Sequence, residues 1–378
     1  MKATAVLLAA IMVVTGPAFA AGQASGTGAP PTSFDQLSQA AEKAFNEARD
    51  DDAIRLCRLA LAKRPEWEQG LWYLGALLYQ KQQYGEARDV LRRFMTIRPD
   101  AGPGWALLGM SEFELREYSR ALEHLEHAMA YGMGERNELV QSVFYHVAIL
   151  LTRFDRYDDS MDMLQRMLAN SPGAESLTEA AGLAGLRLPL LPAEIPPDQR
   201  DLIQLAGAAV VALDTEHAED AAARFSQLAT AYPAEPGVHF LYGAYLMPSD
   251  PAGGMREMRR ELEISPSHVL ARIRLADQLI AQRKYDEALD LARQAIKLDP
   301  RRASAHMLAG EALLAKGDSE HGIAELEDAR DREPENSKMH WDLLRAYTAA
   351  GQIDKANREK QEIEKLAKAN SASDHAQD

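Results

Sequence analysis

Cysteine is almost missing from this 378-residue chain, in which Cys57 is the single thiol. No intramolecular disulfide can form, so stability has to come from packing whatever the redox state of the compartment. Apolar runs are short as well. The run near the start, Ala3 to Val14, holds 12 residues, fewer than the ~20 that span a bilayer as a helix. A basic surplus is also absent: 42 Lys and Arg stand against 57 Asp and Glu, a formal net charge of -15. That balance argues against nucleic acid and anionic lipid surfaces as partners, since both need clustered Lys and Arg. Missing too are the H-E-x-x-H, G-x-S-x-G, P-loop and complete G-x-G-x-x-G patterns, which removes the commonest readable catalytic and cofactor signatures. No catalytic residue, cofactor or metal site is assigned from the sequence.

What is present is the composition of an ordered chain, 46% hydrophobic and 26% charged, with nothing fibrous or low in complexity. Its first residues carry Lys2, the apolar run, a Gly16-Pro17 break and then Ala18-Phe19-Ala20. Those are the parts of a secretory signal peptide over residues 1–20, with cleavage after Ala20. Export to the periplasm or the exterior is therefore expected. Residue 21 is Ala rather than Cys, so no bacterial lipid anchor is expected on it. Residues 21–33 read as a flexible leader and 369–378 as a disordered polar tail.

Between those ends the dominant signal is a repeat. Pro65 and Pro99, Pro266 and Pro300, and Pro300 and Pro334 are each 34 residues apart, and each proline closes an amphipathic segment. A proline at that interval marks the end of a two-helix unit. The text repeats too: Tyr84 to Pro99 reads YGEARDVLRRFMTIRP and Tyr285 to Pro300 reads YDEALDLARQAIKLDP.

These positions resemble the tetratricopeptide-repeat (TPR) family, most clearly at Trp105, Leu108, Gly109, Tyr118, Ala121, Leu125 and Ala128. The resemblance implies an all-α fold, an α-solenoid wound as a right-handed superhelix of helix-turn-helix repeats. About four repeats fall in residues 34–172 and about five in 202–368, and the fifth takes Ala209 in its first helix and Ala221 and Phe225 in its second. Between the blocks, residues 173–201 read as a helix followed by a joint, because the four prolines of LPLLPAEIPP forbid helix there. Gly75, Gly109 and Gly310 fall mid-helix, where glycine costs ~0.5–1 kcal/mol against alanine. Their use there is expected where two helices approach too closely for a side chain.

The resemblance also implies an exported scaffold that binds a protein or peptide rather than an enzyme. Its ligand would lie in an apolar concave groove lined by the first helices, and the candidate residues are Trp72, Tyr79, Met110, Phe113, Tyr145, Ile149, Phe240, Ile273, Met307 and Trp341. A tight superhelix can bury the same stripe as core, and the sequence leaves both readings open. A component of an envelope machine, in outer-membrane assembly or exopolysaccharide export, is the alternative role. His124 and His127, three apart, read as an ordinary helix face rather than a metal pair. Asp50 to Asp52 read as a helix start, where acids favour the positive end of the dipole.

The signal-peptide reading makes one measurable commitment. The exported protein should begin at Ala21, and intact mass of that species checks it. A membrane-bound form retaining Met1 would contradict cleavage.

Overall fold

A computed structural model describes residues 31–134, 137–170, 175–214 and 218–374. The expected signal peptide 1–20 and its cleavage site, and all of the leader up to residue 30, lie outside the described residues. Among the described residues there are 19 α-helices, two short 3-10 turns and no strand, an all-α helical repeat solenoid. None of these helices is long and apolar enough to cross a membrane. The chain divides into two compact units, residues 1–216 and 217–378.

In the first unit the helices pair as hairpins. These are α1 (Phe34–Asn46) with α2 (Asp50–Lys63), α3 (Glu68–Gln80) with α4 (Tyr84–Ile97), α5 (Gly102–Glu114) with α6 (Tyr118–Tyr131), α7 (Asn137–Arg153) with α8 (Tyr157–Asn170), and α9 (Glu175–Gly185) with α10 (Arg200–Val211). The second unit opens on α11 (Ala218–Ala231). It continues with α12 (Val238–Leu246) and α13 (Pro251–Ile264), α14 (Val269–Ala281) and α15 (Tyr285–Leu298), α16 (Ala303–Ala315) and α17 (Ser319–Arg332), and α18 (Ser337–Ala349) and α19 (Ile353–Asp374). Each helix packs mainly on its chain neighbours, and first helices of consecutive hairpins, such as α3 and α5 or α16 and α18, also touch.

The turn inside a hairpin has one conformation used repeatedly. Gln82, Arg116, Asp155 and Arg283 adopt positive φ values of 60°, 61°, 61° and 59°, each two residues before the tyrosine that starts the second helix. This left-handed residue lets the chain reverse while its neighbours cap the first helix: Gln82 N–H donates to Tyr79 O and Gln83 N–H to Leu78 O, both at 2.9 Å. The tyrosine then folds back on that helix, with the Tyr84 ring 5.6 Å from Tyr79 and Tyr118 5.6 Å from Phe113.

Glycine sets how closely the two helices approach. A Cβ built on Gly75, Gly109 or Gly310 would lie 2.7 Å from Cγ of Leu91, Leu125 or Leu326 respectively. In all three hairpins the leucine stands 16 residues after the glycine and is fully buried. The same contact therefore recurs as a unit of construction. Between α12 and α13 two glycines meet instead: a Cβ on Gly254 would lie 2.9 Å from Gly243 O, and one on Gly243 3.0 Å from Gly254 O.

Two expectations about domain limits need correction. Helix α10, expected to open the second block, belongs to the first unit and folds back on α9. Gly182 and Gly207 permit this, since a Cβ on Gly207 would lie 1.9 Å from Thr178 O and one on Gly182 2.1 Å from Ile203 O. The proline-rich stretch thus lies within the first unit, with Leu191 and Ile195 buried and Arg153 donating to Pro189 O at 2.8 Å. The division falls after residue 216, not across 173–201. At the other end α19 runs to Asp374, past the expected start of the tail at 369; residues 375–378 lie outside the described residues.

The α9–α10 contact gives a sharp pair of substitutions. Gly207→Ala drives a methyl into the Thr178 carbonyl, so a loss of about 1–3 kcal/mol or more is expected. Gly85→Ala meets nothing within 4 Å and should be neutral or up to about 1 kcal/mol stabilising. Urea melts of the two variants check this, and equal midpoints would contradict the close-approach role.

Candidate functional site

The ten first-helix residues expected to line a groove separate sharply by burial. Trp72, Met110, Ile149, Phe240 and Ile273 are buried; Tyr79, Phe113, Tyr145 and Met307 are half-buried. Through α3, α5 and α7 the stripe packs on itself. Tyr79 Oη lies 3.7 Å from Met110 Sδ, which also receives Ser142 Oγ at 3.5 Å. Trp72 packs on Phe94, and Phe113 meets His146 edge-on at 4.7 Å. The stripe here joins consecutive hairpins, and the five buried residues among the ten are core rather than open groove lining.

Of the ten candidate residues, Trp341 on α18 is the one largely exposed, at 51%. Other large apolar side chains with such exposure, among them Leu59, Tyr131, Leu298 and Ile353, lie off the expected stripe and are scattered singly, which is normal for a protein surface. Lys338, Trp341, Asp342 and Arg345 recur at helical spacing on one face of α18. Lys338 bridges Glu311 of α16 and Asp342, the latter at 2.9 Å, and Arg345 donates to Asp342 as well. Lys338 Nζ also lies 3.5 Å from Met307 Sδ. Burial pushes the Glu311 carboxyl above its ordinary range, with Lys338 opposing. Trp341 shares its face of α18 with this ion network, so the exposed part of the stripe is amphipathic where a purely apolar lining was expected.

A second feature recurs along the chain and was not read from the sequence. Six residues after a closing proline, a side-chain donor turns back to that proline's carbonyl. Trp105 Nε1 reaches Pro99 O at 2.8 Å, His239 Nε2 Pro233 O at 3.0 Å, His306 Nε2 Pro300 O at 3.1 Å and His340 Nε2 Pro334 O at 2.8 Å. Arg272 does the same at Pro266 O. Nδ1 of the three histidines then meets a carboxylate of the second helix: Glu257 at 2.6 Å, Glu325 at 2.7 Å and Glu359 at 2.6 Å. Each imidazole thus ties the loop before a hairpin to both of its helices. The signal was a donor at a fixed offset from proline, spread over Trp, His and Arg and so invisible to identity matching.

Other chemistry-bearing residues are already engaged. His124 Nδ1 meets the buried Glu112 at 2.6 Å while His127 packs edge-on to Trp105, so the two do not converge on one ion. Asp50 begins α2, and Asp52 pairs with Arg49 and Arg55. An open cleft of about 480 Å³ beside α2 is lined by Arg55, Arg58 and Lys81 among others, but these cations pair with Asp52, Glu86 and Asp51. Among the described residues one group gathers three metal-ligand types: His306, Glu325 and Asp328.

Residues 273–329 match the tetratricopeptide repeat family model, a span covering α14 to α17. A stretch of 153 residues is 28% identical to the Arabidopsis thaliana protein "ALBINO3-like protein 3, mitochondrial", covering 36% of this chain and 26% of that one. The match thus spans about a quarter of that relative's length. Solved structures of MamA are similar in part. The "MamA RS-1 ArsTM double mutant" is 20% identical with a TM-score of 0.42, over 45% of this chain and 97% of that one. "MamA 41-end from Desulfovibrio magneticus RS-1" is 21% identical with a TM-score of 0.39, over 46% and 97%. Scores at that level carry no argument about function.

Cys57 is fully buried in α2, and burial pushes its thiol up to about 12. Only thiolate attacks alkylating agents, so the native protein should resist iodoacetamide near pH 8 and label within minutes in urea. Rapid labelling of the folded protein would contradict the packing of α2.

Proposed function

We propose that this chain is an exported, non-enzymatic scaffold that binds a polypeptide segment, and that the segment docks on the first-helix face of α16 and α18. The observation carrying this reading is Trp341, the one member of the expected stripe left largely exposed. A half-exposed indole supplies a large anchor at little conformational cost, and aromatic anchors dominate interface energies. Lys338 and Arg345, both exposed on the same face of α18, provide donors for the carbonyls of a peptide backbone. The repeat architecture and the family match over residues 273–329 support a protein partner. Export rests on residues 1–20 alone, and a place in an envelope assembly is the narrower form of the same reading.

Trp341→Ala tests the face without disturbing the core. Truncating an anchor of this kind costs about 2 kcal/mol or more, roughly 30-fold in affinity, so the variant should melt like the wild type and recover far less partner from an envelope extract. Replacing Trp72 and Tyr145 together by Glu should instead unfold the first unit, because Trp72 is interior. Undiminished partner recovery by Trp341→Ala would overturn the docking face.

A further inference from the structure

The geometry points to a divalent transition-metal site formed by His306 of α16 with Glu325 and Asp328 of α17. Their ligand atoms all lie within 4.8 Å of one another. His306 Nδ1 stands 2.7 Å from Glu325 Oε2 and 3.8 Å from Asp328 Oδ2. Zinc–nitrogen and zinc–oxygen bonds of about 2.0–2.2 Å place tetrahedral ligands roughly 3.3 Å apart. The two observed separations straddle that value, and small side-chain rotations reach it.

The ring is held as those of His239 and His340 are, with Nε2 on the carbonyl of the preceding proline. Its Nε2 faces Pro300 O at 3.1 Å. A neutral imidazole has one N–H, and when that hydrogen goes to the carbonyl, Nδ1 presents a lone pair to two carboxylates. Three electron-rich atoms then surround one point. A backbone acceptor on the far nitrogen is also the usual way a metal-bound histidine is held in the right tautomer.

Comparison with the other two histidine contacts in the same register isolates what is special here. Three residues after the paired glutamate, α13 has Arg260, which lies 3.9 Å from Glu257. In α19 that position is Glu362, which pairs with Lys365, while Glu359 is held by Arg330 at 2.9 Å. In α17 the position is Asp328, and it faces His306. Arg260 of α13 and Arg330 of α17 thus stand against the paired glutamate in the sister contacts, whereas the group nearest His306 besides Glu325 is the carboxylate of Asp328. Arg332 is the competing cation: 30% exposed, it lies 3.6 Å from Asp328 Oδ2 and donates to Pro300 O at 3.1 Å and to Asp328 O, so a bound ion has to displace it from the Asp328 carboxylate. One imidazole and two carboxylates suit Zn²⁺ or Mn²⁺ over Ca²⁺ or Mg²⁺, which prefer all-oxygen sets. Water would complete the coordination, and a bound ion would crosslink α16 to α17 just below the proposed docking face.

The test is calorimetric titration of the chelator-stripped full chain with ZnCl₂ near pH 7. Wild type should show a saturable event. Asp328→Asn should weaken it by at least the 10–100-fold typical of disturbing even an outer partner of a metal ligand, with an unchanged melt. His340→Gln should leave the event in place, and Arg332→Gln should strengthen it by removing the competitor. If His306→Ala fails to fold, Asp328→Asn alone still decides. Absence of saturable binding, or identical isotherms for wild type and Asp328→Asn, would show that the cluster holds only a proton and overturn the site.

Discussion

Three hairpins, α3–α4, α5–α6 and α16–α17, are held at a separation no side chain can enter. The glycine of one helix takes the leucine 16 residues later into the space a Cβ would occupy, at the same 2.7 Å in three hairpins. Everything else follows from that approach. Two helices so close share one buried seam but leave an apolar face that only the next hairpin can cover, so stability is passed from neighbour to neighbour. With a single buried cysteine and no disulfide, packing of this kind carries the fold.

The ends and seams of the array are where the polar groups are spent. A proline closing one hairpin cannot donate, and its carbonyl is taken up by Trp105, His239, Arg272, His306 or His340 from the next. Buried carboxylates do related work. Glu261, fully buried, accepts from the backbone N–H groups of Gly237 and Phe240, fixing the start of α12. Such groups are safe in the interior only because each has its partner.

Function depends on where this packing stops. Along α3, α5 and α7 the side chains that could have lined a groove are used up in joining first helices. On α18 the stripe is open, with Trp341 51% exposed while α18 packs on α19. Trp341 and the charges on its face of α18 are what is left over. The outer face of α19 is almost wholly polar, with Ala356 and Glu359 buried against the array and Lys360, Glu362, Glu364 and Lys365 exposed.

Short-range grammar was legible in the sequence. The 34-residue interval of prolines, the tyrosine opening the second helix and the mid-helix glycines fix local conformation within one hairpin, and such features are written in consecutive residues. The expected helix start at Asp50 belongs to the same class. What the sequence could not decide is which side of an apolar stripe meets protein and which meets solvent, because Trp72 and Trp341 occupy equivalent positions in their repeats. The same limit explains the misplaced joint: α10 could pair forward or back, and only the backbone approach permitted by Gly182 and Gly207 settles it. The convergence of His306, Glu325 and Asp328 is likewise tertiary, since residues 19 and 22 apart become neighbours only when two helices are folded side by side.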